Sequence, residues 1–179
     1  MRKLSLFIFA IAFSSSVYAQ VIGKMFPDME AETVEDKIVK LPTATAGKYT
    51  LLGLAYSKKS ETELNSWFQP VFEKFIQKST GLMAGFGYDV NVYFVPMFTG
   101  INAAATGTAK RKALKDIDGQ LLPYVLFYKG ELKPYKDTLD FEKKDIPYFF
   151  VLDPAGKIIY ATSGKYTEDK MDTIEGVIE

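Results

Sequence analysis

Two serines and two lysines stand together in Ser57-Lys58-Lys59-Ser60, between an apolar run and an apolar-periodic stretch. Hydroxyls and ammonium groups at the start of a helix have two chemical uses. They can hold an anion such as a carboxylate or phosphate, because the first helical N–H groups are unpaired. They can also form a Ser-Lys nucleophile pair, but the Ser-x-x-Lys spacing of such pairs is absent. A solvated turn with a helix cap is the competing structural reading of the same four residues.

Other residue types narrow the chemistry by their absence. The 179 residues include no cysteine and no histidine. Thiol redox cycling, Cys-His dyads, Ser-His-Asp triads and zinc sites of Cys/His type are therefore excluded. Nothing in the sequence calls for a cofactor. Glu61 with Glu63, and Asp137 with Asp140, are possible carboxylate pairs for glycoside cleavage, although that chemistry needs a deep cleft. Asp140 and Asp153 offer oxygens to calcium without a calcium-loop motif. Lys110, Arg111, Lys112 and Lys115 make a basic cluster suited to an acidic partner or an anionic lipid, or simply a solvated helix face. Trp67, Phe68, Phe72 and Phe75 recur at helical spacing and read as core, as do Tyr148, Phe149 and Phe150.

The elements that must position these residues follow from pattern. Tyr49–Tyr56 is almost wholly apolar, as in a strand buried on both faces. Ser60 is a candidate N-cap for the helix that follows. Its apolar face runs from Leu64 to about Lys78, and Pro70 predicts a kink. Glu32–Val34 and Ile38–Leu41 predict a hairpin around Glu35-Asp36-Lys37, and Thr80–Gly87 a loop. Tyr88–Val95 reads as a strand ended by Pro96, and Ala109–Ile117 as a helix capped by Thr106 or Thr108. Leu121–Tyr128 reads as strand or extended chain, and Glu131–Lys144 as irregular chain or a short helix. Tyr148–Leu152 and Lys157–Thr162 form a hairpin through the turn Asp153-Pro154-Ala155-Gly156. Thr167 caps a last helix, Glu168 to Ile178. The order ββ, β, α, β, α, β, β, α predicts one α/β domain, a mixed sheet with helices on both faces.

The first residues read as an address. Arg2 and Lys3 precede the apolar run Leu4–Phe13, and Val17-Tyr18-Ala19 places small residues before Gln20. This is the pattern of a secretory signal peptide cleaved after Ala19. The run is about half of the roughly 20 apolar residues a spanning helix needs. The expectation is an exported protein, periplasmic or secreted, with residues 20–179 as its domain and no span after cleavage. Loss of Arg2 and Lys3 leaves 20 basic against 22 acidic residues, a net charge near −2. That balance offers no global field for nucleic acid.

The punctuation residues carry a resemblance. Phe26-Pro27-Asp28 before a hairpin, Gly47-Lys48-Tyr49-Thr50-Leu51-Leu52-Gly53-Leu54, Ile146-Pro147-Tyr148-Phe149-Phe150-Val151-Leu152-Asp153 and Pro154-Ala155-Gly156-Lys157-Ile158 together resemble the thioredoxin-like superfamily. The branch resembled is that of peroxiredoxins and exported thiol-disulfide oxidoreductases, over about Phe26 to Ile178. A narrower likeness joins Ser66-Trp67-Phe68-Gln69-Pro70-Val71-Phe72 and Ile158–Gly164 to a mitochondrial ATP synthase assembly-factor family of the same general fold. The superfamily implies a three-layer fold with an N-terminal hairpin extension, a cysteine at the first strand–helix junction, and a cis-proline at Pro147. Ser57 and Ser60 sit at Cys-x-x-Cys spacing there. Serine hydroxyls do not cycle electrons, so the redox activity does not transfer. What the resemblance leaves is a binding surface of Ser57, Lys58, Lys59, Ser60, Ile146 and Pro147. Its expected use is to hold a polypeptide, an exported or membrane-associated partner. An anion carrier at Ser57–Ser60 and a non-redox enzyme are the alternatives. Mass spectrometry of protein recovered from its native cells should find an N-terminus at Gln20. A chain that retains Arg2 contradicts cleavage.

Overall fold

The computed structural model describes residues 20–77 and 87–178. The signal-like segment and most of the Thr80–Gly87 loop lie outside those residues. Seven strands form one sheet in the order β2-β1-β5-β4-β3-β6-β7. β1 is Met29–Glu32, β2 Ile38–Leu41, β3 Tyr49–Ala55, β4 Val90–Thr99, β5 Phe127–Gly130, β6 Tyr148–Leu152 and β7 Ile158–Ser163. β3, β4 and β5 run parallel, and both ends of the sheet are closed by antiparallel pairs.

The parallel centre explains the apolar composition of β3. From Thr50 to Ala55 every residue is buried, because helices cover both faces. Its side chains divide between two cores. Leu52 and Leu54 join Met97, Phe141, Tyr148 and Phe150 on one face, under the helix α4, Lys133–Leu139. Leu51 and Ala55 join Trp67, Phe94, Phe149 and Ile174 on the other. That second face carries α1 (Lys58–Leu64), α2 (Phe68–Val71), α3 (Thr106–Asp116) and α5 (Glu168–Ile178).

Several boundaries differ from the sequence-based expectation, each for a local reason. The hairpin turns at Thr33–Lys37, with Asp36 in the left-handed region at φ 63°, so its first strand is Met29–Glu32 rather than Glu32–Val34. Pro96 does not end β4. It lies opposite Ala55, the last residue of β3, so its missing N–H falls where β4 outruns that neighbour to pair with β5. Leu121–Tyr128 is not one strand. A 3₁₀ turn at Leu122–Tyr124, with Pro123 inside it, precedes β5, and this seventh strand adds a parallel crossover to the expected order. α3 starts at Thr106, but neither Thr106 nor Thr108 caps it: the Thr106 hydroxyl donates back to the Ala103 carbonyl, 2.8 Å away. Thr167 does cap α5, accepting from the Lys170 N–H at 3.4 Å.

The long apolar helix is segmented around Pro70. Pro70 cannot donate to the carbonyl four residues back. The chain tightens to a 3₁₀ turn at Asn65–Trp67 ahead of it and widens to a π-helix at Phe72–Ile76 behind it. Trp67 is fully buried within this rod. Its ring stacks on Phe149 at 4.0 Å, and its Nε1–H donates to the Gly164 carbonyl at 3.0 Å. Phe149 in turn lies against β3 at Gly53, where a Cβ would stand 2.6 Å from Phe149 Cε1 and 3.0 Å from Leu64 Cδ1.

Gly53→Ala should therefore lower stability by about 1–3 kcal/mol through overpacking. Gly119→Ala, whose Cβ meets nothing within 4 Å, should stay within about 0.5 kcal/mol. Urea unfolding midpoints separate the two, and equal midpoints contradict the packing argument.

Candidate functional site

β3 delivers the chain into Ser57, which leaves the strand in extended conformation at φ −142° and ψ 160°. Ser57, not Ser60, is the N-cap of α1. Its hydroxyl accepts from the Ser60 N–H at 3.1 Å, and the Ser60 hydroxyl accepts from the Ser57 N–H at 2.9 Å. This reciprocal pair is a capping box. Ser60 is fully buried and donates to the Ser57 carbonyl at 2.9 Å. The expectation that Ser60 is the cap fails because its side chain already lies within the helix, at the third position. The Ser57 Oγ also lies 3.1 Å from Asp145 Oδ1, to which it donates. Both hydroxyls are thus committed to the fold, and a carboxylate of the chain itself sits at Ser57.

The structure does bring the two halves of the expected surface together. Asp145, Ile146 and Pro147 approach the junction from the turn before β6, and Lys58 and Lys59 stand exposed beside it. Ile146 is half-buried and Pro147 buried. The expected cis bond at Pro147 is absent: the one cis peptide among the described residues is Leu41–Pro42. Trans is the lower-energy isomer of an X–Pro bond by about 0.5–1 kcal/mol. The contact to the junction is made here by the Asp145 side chain, which needs no cis turn to reach Ser57.

The basic cluster does not form a patch. Lys110 is buried, with its Nζ on Glu32 and, at 2.5 Å, Asp36, and 6.0 Å from the centre of the Phe127 ring. Burial presses its pKa down, but hydrogen bonds to Asp36 and Glu32 and their charges more than reverse this, leaving it raised. Lys110 therefore ties α3 to the β1–β2 hairpin. Arg111 donates to the Thr108 hydroxyl and Lys112 lies 3.8 Å from Asp116. Of the acidic candidates, Asp137 pairs with Lys133, and Asp153 accepts from the Ala155 and Lys157 N–H groups to hold its turn. Among the described residues no cluster of acidic side chains is arranged to hold a metal ion.

A cleft of about 730 Å³ opens next to Ser57, between α1 and α3, over the C-terminal ends of β3 and β4 and the start of β5. Ligands of open α/β sheets commonly bind outside the carboxyl ends of parallel strands. Phe68, Phe98, Leu121, Val125 and Phe127 form the apolar floor. Ala105, Ala109 and Ala113 present small side chains along α3, and Asn65, Asn102, Thr62 and Thr108 bring amides and hydroxyls to the walls. The sequence analysis did not identify this cleft. Its one signal there is the i, i+4, i+8 spacing of Ala105, Ala109 and Ala113. Nothing in the sequence said which helix that smooth face would oppose.

Glu61 is the charged group set deepest in the cleft. Its side chain is 28% exposed, against 80% for Lys58 and 64% for Lys112. Lys58 Nζ is 3.9 Å from its carboxylate, beyond hydrogen-bond length. Burial raises the Glu61 carboxyl above its usual range, and the charges of Lys58 and Lys112 offset only part of that.

No family model and no curated protein matches the sequence. Solved structures do match. The C-terminal domain of a protein assigned as a thiol-disulfide oxidoreductase, from Bacteroides thetaiotaomicron, has a TM-score of 0.57 at 15% identity, over 89% of this chain and 97% of that one. BsSco, a member of the Sco family of cytochrome c oxidase assembly proteins, has 0.57 at 10% identity, over 87% and 92%. The reduced 2-Cys peroxiredoxin of Plasmodium vivax has 0.54 at 14% identity, over 87% and 82%. The likeness is one of fold: this is a thioredoxin-like α/β chain, and it has no cysteine with which to run thiol chemistry.

The raised pKa of Glu61 has a sign that can be measured. A carboxyl whose pKa is higher folded than unfolded holds its proton more tightly in the native state. Its charged form then costs stability at neutral pH, and that cost fades as pH falls through the raised folded pKa and is gone below the unfolded value. Glu61→Gln should raise Tm at pH 7, and the gain should shrink as pH is lowered through the carboxylate range. A Tm at pH 7 equal to or below that of the wild type contradicts the desolvation of Glu61.

Proposed function

We propose that this chain is an exported, non-enzymatic binding or assembly module that holds a polypeptide at the junction where its structural neighbours are built for thiol chemistry. The observation that carries the reading is the pairing of a chemically quiet junction with an open apolar cleft beside it. Both serine hydroxyls are spent on a capping box and on Asp145, while the adjacent cleft has an apolar floor and walls that carry amides. Such a surface is suited to binding rather than to bond cleavage. An assembly role has a parallel in the fold, since the Sco family comprises cytochrome c oxidase assembly proteins.

An anion carrier at Ser57–Ser60 is the weaker reading. The Asp145 carboxylate already lies 3.1 Å from the Ser57 hydroxyl, and a second anion would meet its charge. A non-redox enzyme finds little support: the hydroxyls are committed, and Glu61 has no base or nucleophile in hydrogen-bond contact with it among the described residues.

Photo-crosslinking in the native cells tests the proposal. A crosslinker at Lys59 or Ile146 should capture a discrete polypeptide. The same group at Lys157, beside the β6–β7 turn at the opposite end of the sheet, should not. Equal capture from all three positions overturns the reading.

A further inference from the structure

The shape and charge of the cleft specify an occupant. Its α3 wall runs from Ala105 to Asp116. At a rise of about 1.5 Å per residue this is roughly 16 Å. An extended strand rises about 3.3 Å per residue, so that length takes about five residues. The amides and hydroxyls on the walls favour such a segment over a helix, whose backbone groups are already paired.

An extended segment brings unpaired backbone N–H and C=O groups into the cleft, and these need partners. Asn65 and Asn102 can serve both donors and acceptors, and Thr62 and Thr108 stand on the same walls. The floor of Phe68, Phe98 and Phe127 takes apolar side chains.

Charge selects further. The lysines of the rim carry their ammonium groups in water, where screening is strong, whereas Glu61 is largely withdrawn from it. The field inside the cleft is therefore set by a carboxylate that lacks a hydrogen-bonded cation. An anionic occupant is repelled by it. A cationic one supplies the missing donor.

We propose that the cleft between α1 and α3 seats an extended, apolar polypeptide segment of about five residues that carries one lysine or arginine, with Glu61 receiving the cation. The proposal rests on the polypeptide-binding reading above and adds the seat, the conformation and the charge of the ligand. The adjacent capping box contributes by holding α1, and with it Glu61, in place.

Fluorescence anisotropy with a labelled Leu-Ala-Lys-Phe-Leu pentapeptide provides the test, against the same peptide with glutamate in place of lysine. The wild-type protein should bind the lysine peptide at least roughly tenfold more tightly than the glutamate peptide. Glu61→Gln should remove most of that preference. Ala109→Trp should abolish binding by filling the cleft, and Thr108→Trp, at an exposed position on its rim, gives the same block if Ala109→Trp does not fold. Thermal unfolding of each variant verifies the fold. Equal affinity for the two peptides, binding undiminished by the folded tryptophan variants, or no binding of the lysine peptide at about 1 mM each overturns the proposal. Crosslinking from Lys59 and Ile146 then decides the broader reading separately. Selective capture there with an unresponsive cleft leaves a polypeptide module with another seat, and no selective capture removes both.

Discussion

The close approach of Phe149 to β3 is the contact on which the other elements depend. It exists because residue 53 has no side chain: the Phe149 ring lies where a Cβ would be. Phe149 is in β6 and pairs with Gly53 across the antiparallel ladder, so the ring folds over its own partner strand. Trp67 then stacks on the outer face of that ring, and its indole N–H reaches Gly164 at the end of β7. Tyr166 meets Trp67 edge-on at 5.5 Å and leads into α5. One glycine thus lets two strands, the segmented helix and the start of α5 share a single packed layer. Aromatic pairs contribute about 0.5–1.5 kcal/mol each beyond their area. In a chain with no disulfide, such packing has to supply what a covalent staple would.

That layer sets the direction in which α1 leaves β3. The helix cannot shift without lifting Leu64 and Trp67 from Phe149, so the junction at Ser57 is held from below. The serines complete it from above. In a thiol enzyme the junction must keep a reactive group exposed and unspent. Here Ser57 and Ser60 satisfy one another and the first N–H groups of α1, and Asp145 closes the outside. Ser57 here stabilises the helix start, by about 1 kcal/mol for a cap of this kind.

With the junction closed, the open surface moves sideways, to the cleft between α1 and α3. Its existence follows from topology. β4 and β5 are parallel, so α3 must cross over the face that α1 also covers, and Lys110 pins α3 outward to the hairpin through Glu32 and Asp36. The two helices cover the same face without closing on one another, and the floor between them is aromatic. Glu61 gains its character from that setting. On an isolated helix it would be an ordinary first-turn acid, favourable near the N-terminus. Against this floor it is a desolvated charge.

Much of this was legible in the sequence, and the reasons are local. The two-sided burial of β3, the Asp153-Pro154-Ala155-Gly156 turn and the capped α5 are properties of short stretches with strong turn or periodicity signals. The absence of cysteine and histidine settled which chemistries are excluded without any coordinates. Of the boundaries that were misread, Pro96 inside β4 and the 3₁₀ turn before β5 are decided by a neighbouring strand, whereas Ser57 rather than Ser60 is the cap through reciprocal bonds within the junction. The site divides in the same way. Ser57, Lys58, Lys59 and Ser60 could be singled out because they are contiguous. The cleft could not be, because Glu61, Asn102, Ala109 and Phe127 meet only through the parallel crossover. Residue type and local spacing decided which thiol and imidazole chemistries are closed to this chain and roughly which segments become helix or strand. Only the tertiary structure decided which side chains face one another across solvent, because that depends on strand order and helix placement over the sheet.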